Sequence, residues 1–185
     1  HFPQTVRTQP WLLRDRDELP TEVRARSLLN LPDEPSPTIA VLASGLPRER
    51  EEFGDLATSL AEAMPDVRVR CIAPTCPESC RASLWVAHWP AIECLPVVDL
   101  VVGAGGYNTV SECRFVGVPL VALARERLYD RQRLRLQSWP QGCAIAKDSE
   151  EAIALAKQRI YSPTPLLRDP RPNGVKQAIR HFNLL

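Results

Sequence analysis

The chain has 185 residues, of which 44% are hydrophobic and 24% are charged, and its formal net charge is +1. This length fits one globular domain with a full core, and the composition excludes a disordered chain or a fibrous repeat. A charge so close to zero leaves no strong field for steering onto nucleic acid, so a nucleic-acid partner is not predicted.

Targeting and metal signals are weak. The apolar stretch at residues 94–104 is interrupted by Asp99 and is shorter than the roughly 20 residues that span a bilayer, so no transmembrane segment is predicted. The start, HFPQTVRTQP, is not a secretion signal and lacks Met, which suggests a piece of a longer chain. Six cysteines without an export signal indicate reduced thiols and a cytoplasmic location.

Cys71, Cys76 and Cys80 lack CxxC pairing, so no metal site is predicted.

Strands and helices alternate along the chain. Residues 1–37 predict an interdomain lead-in with an entry helix at residues 22–30, and residues 38–185 predict one domain. Strands are expected at residues 38–43, 67–71, 83–87, 99–102, 120–124 and 143–146. Helices are expected at residues 47–65, 109–116, 130–138, 150–161 and 175–182, with a short helix between Cys71 and Cys80. This order predicts an α/β fold, a Rossmann-like parallel sheet with helices on both faces and a crevice at the carboxyl ends of its strands.

The most informative feature is the glycine-rich turn VVGAGG at residues 101–106, between a predicted strand and a predicted helix. Gly105 and Gly106 allow backbone amides to approach a phosphate while the positive end of the helix dipole faces it. Asn108 and Thr109 can cap the helix or donate to a phosphate oxygen. The turn therefore predicts a diphosphate site.

Two other interpretations of this turn stay open. A dinucleotide-binding fingerprint would use Glu126 as its ribose-binding acid, but Asn108 stands at the third glycine position and earlier strands precede the motif. A capping box from Thr109 to Glu112 would serve the helix alone.

Residues 99–132, DLVVGAGGYNTVSECRFVGVPLVALARERLYDRQ, resemble the donor-binding signature of GT-B glycosyltransferases. The likeness is strongest to the UDP-sugar transferases related to the peptidoglycan lipid-intermediate N-acetylglucosaminyltransferase. It consists of the Gly-Gly turn, the N-T-V-S-E helix start, the G-V-P break and the D-R-Q sequence, and it extends less sharply over nearly the whole chain. The resemblance implies one half of a GT-B fold, its C-terminal domain.

The resemblance also assigns roles to residues. Diphosphate contacts are implied for Gly105, Gly106, Asn108 and Thr109, with Ser44 and Gly45 on the other side. Glu112 would bind the ribose, Asp130 and Gln132 the sugar, and Ile92 would lie near the base. Asp130 could instead cap its helix, and Gln132 could be merely solvated.

No catalytic base is assigned, and His88 and His181 are interpreted as surface or packing residues. Ala104 replaces a His that some relatives carry before the two glycines. Stabilisation of the leaving group would therefore fall to backbone amides, hydroxyls and Arg48 or Arg125.

The implied activity is metal-independent transfer of a sugar from a nucleoside-diphosphate sugar, UDP-linked, to an acceptor hydroxyl, with no cofactor. The implied partner is an acceptor-binding N-terminal domain or a partner subunit, through which the chain would reach the inner membrane surface. The alternatives are a nucleotide-sugar-binding module without catalysis and an NAD- or FAD-dependent enzyme.

Overall fold

A computed structural model describes residues 5–163, 165–166 and 168–182. In this part of the chain six strands form a sheet in the order β3-β2-β1-β4-β5-β6, and each neighbouring pair is parallel. The strands are β1 (Thr38–Leu42), β2 (Arg68–Ile72), β3 (Trp85–Val86), β4 (Leu100–Ala104), β5 (Leu120–Leu123) and β6 (Cys143–Ala146). The predicted Rossmann-like parallel sheet is confirmed.

Helices connect the strands and cover both faces of the sheet. They are α1 (Glu22–Leu28), α2 (Pro47–Ala63), α3 (Tyr107–Val116), α4 (Gln132–Gln137), α5 (Ser149–Tyr161) and α6 (Gly174–His181). α3 ends at Gly117, whose φ of 85° is left-handed and suits glycine. Within the described residues, no helix has the length and apolar character that crossing a bilayer requires.

The core lies in two layers, one on each face of the sheet. All five residues of β1 are buried because both faces are covered. Ala40 and Leu42 pack with residues of α3 and α4, whereas Ile39 and Val41 pack with residues of α2 and α5. The alternation of side chains along β1 therefore divides the helices between the two faces.

The structure differs from the sequence prediction around β3. Only Trp85 and Val86 form the strand, because β3 is an edge strand that pairs with β2 through two residues. A single 3-10 turn, Ala82–Leu84, takes up the start of the predicted strand. The short helix expected between Cys71 and Cys80 is wrong, because this described segment forms turns only.

The segment before β1 is held against α6. The Asn173 amide donates to the Leu12 carbonyl at 2.9 Å, and its oxygen accepts from the Leu12 amide at 3.1 Å. The Lys176 ammonium lies 2.7 Å from the Asp15 carboxylate. These contacts fix Leu13 and Arg14 near the carboxyl edge of the sheet.

Candidate functional site

A cavity lies where the strand order reverses. From β1 the chain moves outward to β2 and β3, then returns to place β4 on the other side of β1. The carboxyl ends of β1 and β4 therefore border a crevice, the usual ligand position in such sheets. A cavity of about 530 Å³ opens there, and Ser44, Asn108, Thr109 and Glu112 contribute to its lining. The structure thus brings four of the predicted site residues together.

The amino end of α3 is open beside this cavity. Gly106 is the N-cap residue, and no side chain caps the helix among the described residues. A Cβ placed on Gly106 would meet no atom within 4 Å. The first amides of a helix have no partner within the helix and carry partial positive charge, so this end is available to an anion.

The turn after β1 is different, because a carboxylate of the chain fills it. Glu49 accepts a hydrogen bond from the Leu46 amide at 2.9 Å and pairs with Arg127. Burial disfavours ionisation of Glu49, yet these two partners hold its pKa below the ordinary value. Gly45 has a φ of +98°, and a Cβ there would collide with this carboxylate. Gly45 thus accommodates Glu49, and a phosphate contact at Gly45 stays a prediction.

Glu112 is a buried carboxylate in the wall of the cavity. Its side chain belongs to a residue that is 9% exposed, and no described group donates a hydrogen bond to it. Burial raises its pKa to about 7. The capping-box interpretation is wrong, because α3 begins at Tyr107 behind the N-cap Gly106 and Glu112 lies too far into the helix. The carboxylate is therefore free for a ligand.

A second cavity, of about 400 Å³, lies on the α4 side of the glycine turn. A Cβ on Gly105 would lie 2.7 Å from Leu136 Cδ1 and 3.3 Å from Gln132 Cβ, so Gly105 packs directly on α4. Arg135 donates to the Gly105 carbonyl at 2.9 Å. The lining residues are Arg125, Glu126, Arg127, Asp130, Arg131, Gln132, Arg133 and Leu134.

Asp130 and Gln132, the predicted sugar contacts, belong to one hydrogen-bond network in this cavity. The Gln132 amide donates to Asp130 at 3.0 Å, and its oxygen accepts from the Arg125 amide at 2.8 Å. Arg135 donates to Asp130 at 2.6 Å and is the main reason that the pKa of Asp130 is lowered. Gln132 is not merely solvated, because it is only 5% exposed. Asp130 does not cap the helix, because Arg131 is the N-cap residue of α4 and no side chain caps this helix.

Ile92, the predicted base contact, has a fully buried side chain that belongs to the core. Its neighbours Pro90 and Ala91 line the larger cavity. A base in this cavity would therefore meet the segment around Ile92 but not its side chain. Whether this segment binds a base stays a prediction.

The sequence interpretation missed His88. The structure places it in the lining of the larger cavity, with Nε2 2.9 Å from Glu93. Arg14 donates to the other oxygen of Glu93 at 2.6 Å. Burial opposes the charge of Glu93, yet Arg14 and His88 hold its pKa below the ordinary value. The sequence indicated this place through position alone, because His88 directly follows the carboxyl end of a predicted strand. His181, by contrast, is exposed at the end of α6.

No three His, Cys, Asp or Glu side chains converge as metal ligands in the described part of the chain. Cys71, Cys80 and Cys94 are buried free thiols, and burial raises their pKa values.

The fold is the Rossmann-like α/β fold of GT-B proteins, and solved glycosyltransferases share it. The spinosyn forosaminyltransferase SpnP matches 90% of this chain and 48% of its own, with a TM-score of 0.56 and 12% identity. The glycosyltransferase VinC, solved in complex with DTDP, matches 78% of this chain and 37% of its own, with a TM-score of 0.51 and 16% identity. A Listeria monocytogenes protein named as a UDP-N-acetylglucosamine 2-epimerase matches 81% of this chain and 46% of its own, with a TM-score of 0.53 and 12% identity.

The chain spans 32–48% of the length of seven solved structures that it matches. No family model and no curated protein matches the sequence. At these identities the likeness shows the fold, and the relation to the peptidoglycan transferases stays a prediction.

Proposed function

We propose that this chain is the donor-binding half of a glycosyltransferase and holds a nucleoside-diphosphate sugar, UDP-linked, for transfer to an acceptor hydroxyl. The observation that carries this proposal is the open amino end of α3, which lies between two cavities. One cavity has the buried and unpartnered Glu112 in its wall. The other contains Asp130 and Gln132.

The two cavities suit the two ends of such a donor. The nucleoside occupies the larger cavity, where Glu112 accepts hydrogen bonds from the two ribose hydroxyls. The diphosphate crosses Gly105 and Gly106 and meets the first-turn amides of α3, together with Asn108 and Thr109. The sugar enters the second cavity. Fixed amides and the helix dipole then stabilise the charge that develops on the departing nucleoside diphosphate, without a metal ion.

A dinucleotide enzyme fits this topology less well. In a sheet of this order the dinucleotide fingerprint follows the first strand. Here the turn after β1 is filled by Glu49, and the glycine-rich turn follows β4. Glu126, the acid that such an enzyme would use for its ribose, is exposed.

Exposed apolar side chains support a second body over this edge, an acceptor-binding domain or a partner subunit. Single exposed apolar residues are ordinary, but several on one face mark an interaction surface. Five of the twelve exposed large apolar side chains of the described residues occupy the loops after β1, β3 and β5 and the start of α3: Leu46 (60% exposed), Trp89 (75%), Tyr107 (48%), Leu128 (87%) and Tyr129 (92%).

Calorimetric titration and thermal shift with UDP, dTDP and NAD test the proposal. We expect UDP, and more weakly dTDP, to bind and to raise the melting temperature, because a ligand of the native state stabilises it. NAD should have no comparable effect. Binding of NAD without any response to UDP or dTDP would overturn the proposal in favour of a dinucleotide enzyme.

A further inference from the structure

Arg125 has an unexplained buried nitrogen. Among the described residues its Nε is the buried side-chain polar atom that has no hydrogen-bond partner. A buried donor left without a partner costs about 1–3 kcal/mol, and more on a charged group, so it calls for a physical reason. The guanidinium lies over the Phe53 ring, 5.8 Å from its centre, and donates through Nη2 to Glu52.

Arg125 starts beside the glycine turn. The pairing of β4 with β5 ends at Ala104 and Leu123, so the glycine turn and Arg125 both follow the carboxyl ends of neighbouring strands. Gln132 joins the two positions, because it accepts from the Arg125 amide at 2.8 Å and packs on Gly105. Arg125 therefore stands at the border between the open end of α3 and the second cavity.

The partner of Arg125 is an incomplete match for it. A guanidinium presents a planar fork of donors that suits two oxygens of one carboxylate or phosphate. Glu52 accepts a hydrogen bond from Nη2 of Arg125 and also lies 3.5 Å from Nε of Arg48. One carboxylate therefore pairs with two arginines. Its side chain is 36% exposed, whereas Nε of Arg125 is buried.

Resting on the proposed function, we propose that Arg125 is a catalytic residue that binds the departing diphosphate, and that Glu52 holds it in the ligand-free protein and competes with the phosphate for it. Because Nε is buried in the ligand-free protein, the guanidinium has to leave Glu52 and Phe53 and turn toward a diphosphate at the end of α3. Arg125 would thereby supply a positive charge beside the phosphates. Some relatives have a His before the two glycines, where this chain has Ala104.

The test is calorimetric titration of UDP, inorganic pyrophosphate and uridine into the parent protein and its variants. Two variants, R125Q and E52Q, change the proposed pair. Their matched controls are R81Q and E62Q, because Arg81 and Glu62 form a surface ion pair 2.7 Å apart and line neither cavity. R125Q should weaken UDP and pyrophosphate about tenfold or more, the effect of losing a charged hydrogen bond, and leave uridine unchanged. E52Q should tighten UDP by about threefold or more, because a competing charge is gone.

The gain of affinity in E52Q protects the test against a folding artefact, because misfolding cannot tighten binding. R125K, which keeps the charge but loses the fork, should bind UDP with intermediate affinity. The inference is overturned if the parent binds UDP while R125Q binds it as tightly as R81Q does, or while E52Q binds it no tighter than E62Q. If the parent binds neither UDP nor dTDP, the proposed function itself fails and the inference falls with it.

Discussion

Glu112 is a buried carboxylate whose ionisation lowers the stability of the folded chain. Burial raises its pKa from 4.5 to about 7. Since the folded-state pKa lies above the unfolded value, the native state becomes less stable as pH rises from about 4.5 to about 7. A carboxylate that is buried without a partner in a cavity is typical of a functional site.

The first prediction concerns Glu112→Gln. At about pH 8 this change should increase the free energy of unfolding of the ligand-free protein by about 1–3 kcal/mol, because a buried charge is removed. At about pH 4 the carboxyl is protonated in both states and the gain should vanish. Chemical denaturation at the two pH values measures both, with the exposed Glu62→Gln as control. A loss of stability at pH 8 would show that Glu112 is a structural hydrogen-bond acceptor instead.

The same variant should weaken UDP binding by about 1.5–3 kcal/mol, because charged acceptors make the stronger hydrogen bonds to the ribose hydroxyls. Uridine is the cleaner probe of pH, since it has no phosphate that titrates near pH 6. Its affinity for the parent should fall as pH drops below about 7, where Glu112 becomes protonated. Titrations from about pH 5.5 to 8.5 should show this fall for the parent and a flat profile for Glu112→Gln. Identical profiles would remove the ribose role.

At the scale of the element, the two neighbouring glycines of the turn, Gly105 and Gly106, differ in how closely other atoms pack against them. Gly106 has a φ of −63°, which any residue adopts, and a Cβ there meets no atom within 4 Å. Gly105 packs on Leu136 and Gln132, where a Cβ does not fit. Packing therefore explains Gly105 but not Gly106.

Gly106→Ala should accordingly keep or raise stability, by up to about 1 kcal/mol, since alanine restricts the unfolded chain. It should also weaken UDP and pyrophosphate, because the new methyl group lies where a phosphate approaches the helix amides. Melting curves and titrations of Gly106→Ala and Gly105→Ala make the comparison, and the second variant should be destabilised. Unchanged affinity in Gly106→Ala would mean that no phosphate binds at this end of α3.

The elements of this chain were predictable where local chemistry decides them. Buried parallel strands appear in the sequence as apolar runs, and Pro47 and Gly117 mark helix ends through their backbone geometry. The sequence predicts the start of α3 at about Thr109, two residues later than Tyr107, because a glycine N-cap has no side chain to mark the boundary. The strand predicted at residues 83–87 is longer than β3, because composition does not show how far an edge strand pairs with its one neighbour.

The site was predictable only in part, because its remaining features depend on contacts between distant segments. Nothing near Gly45 in sequence shows that Glu49 is held by Arg127, from the loop after β5. The full burial of Ile92 and the contact of His88 with Glu93 and Arg14 likewise arise from packing. Glu112 and the glycine turn could be predicted as site residues because a local motif carries them, and their ligand roles stay predictions.

At the scale of the whole molecule, both cavities, the open helix end and the exposed apolar loops lie on one edge of the sheet. The opposite edge also has cavities, of about 490 Å³ and about 390 Å³, but none of the predicted site residues lines them. Such concentration of ligand features at the carboxyl edge follows from parallel strands, whose connecting turns all meet there. A second body placed over this edge would close the cavities and exclude water from the reacting sugar.

The last prediction follows from that arrangement. If this chain contributes the donor site and a second body contributes the acceptor site and the base, then the 185-residue chain should bind a UDP-sugar yet release no UDP from it. The assay incubates the chain with UDP-N-acetylglucosamine, follows UDP release by a coupled reaction, and follows the sugar by NMR. We expect binding by calorimetry with unchanged substrate, and loss of that binding in Gly106→Ala. Epimerised sugar would instead assign this chain the chemistry for which the Listeria monocytogenes protein is named. Turnover onto an acceptor by this chain alone would show that the transfer site is complete within it, because a half-site lacks the group that deprotonates the acceptor hydroxyl.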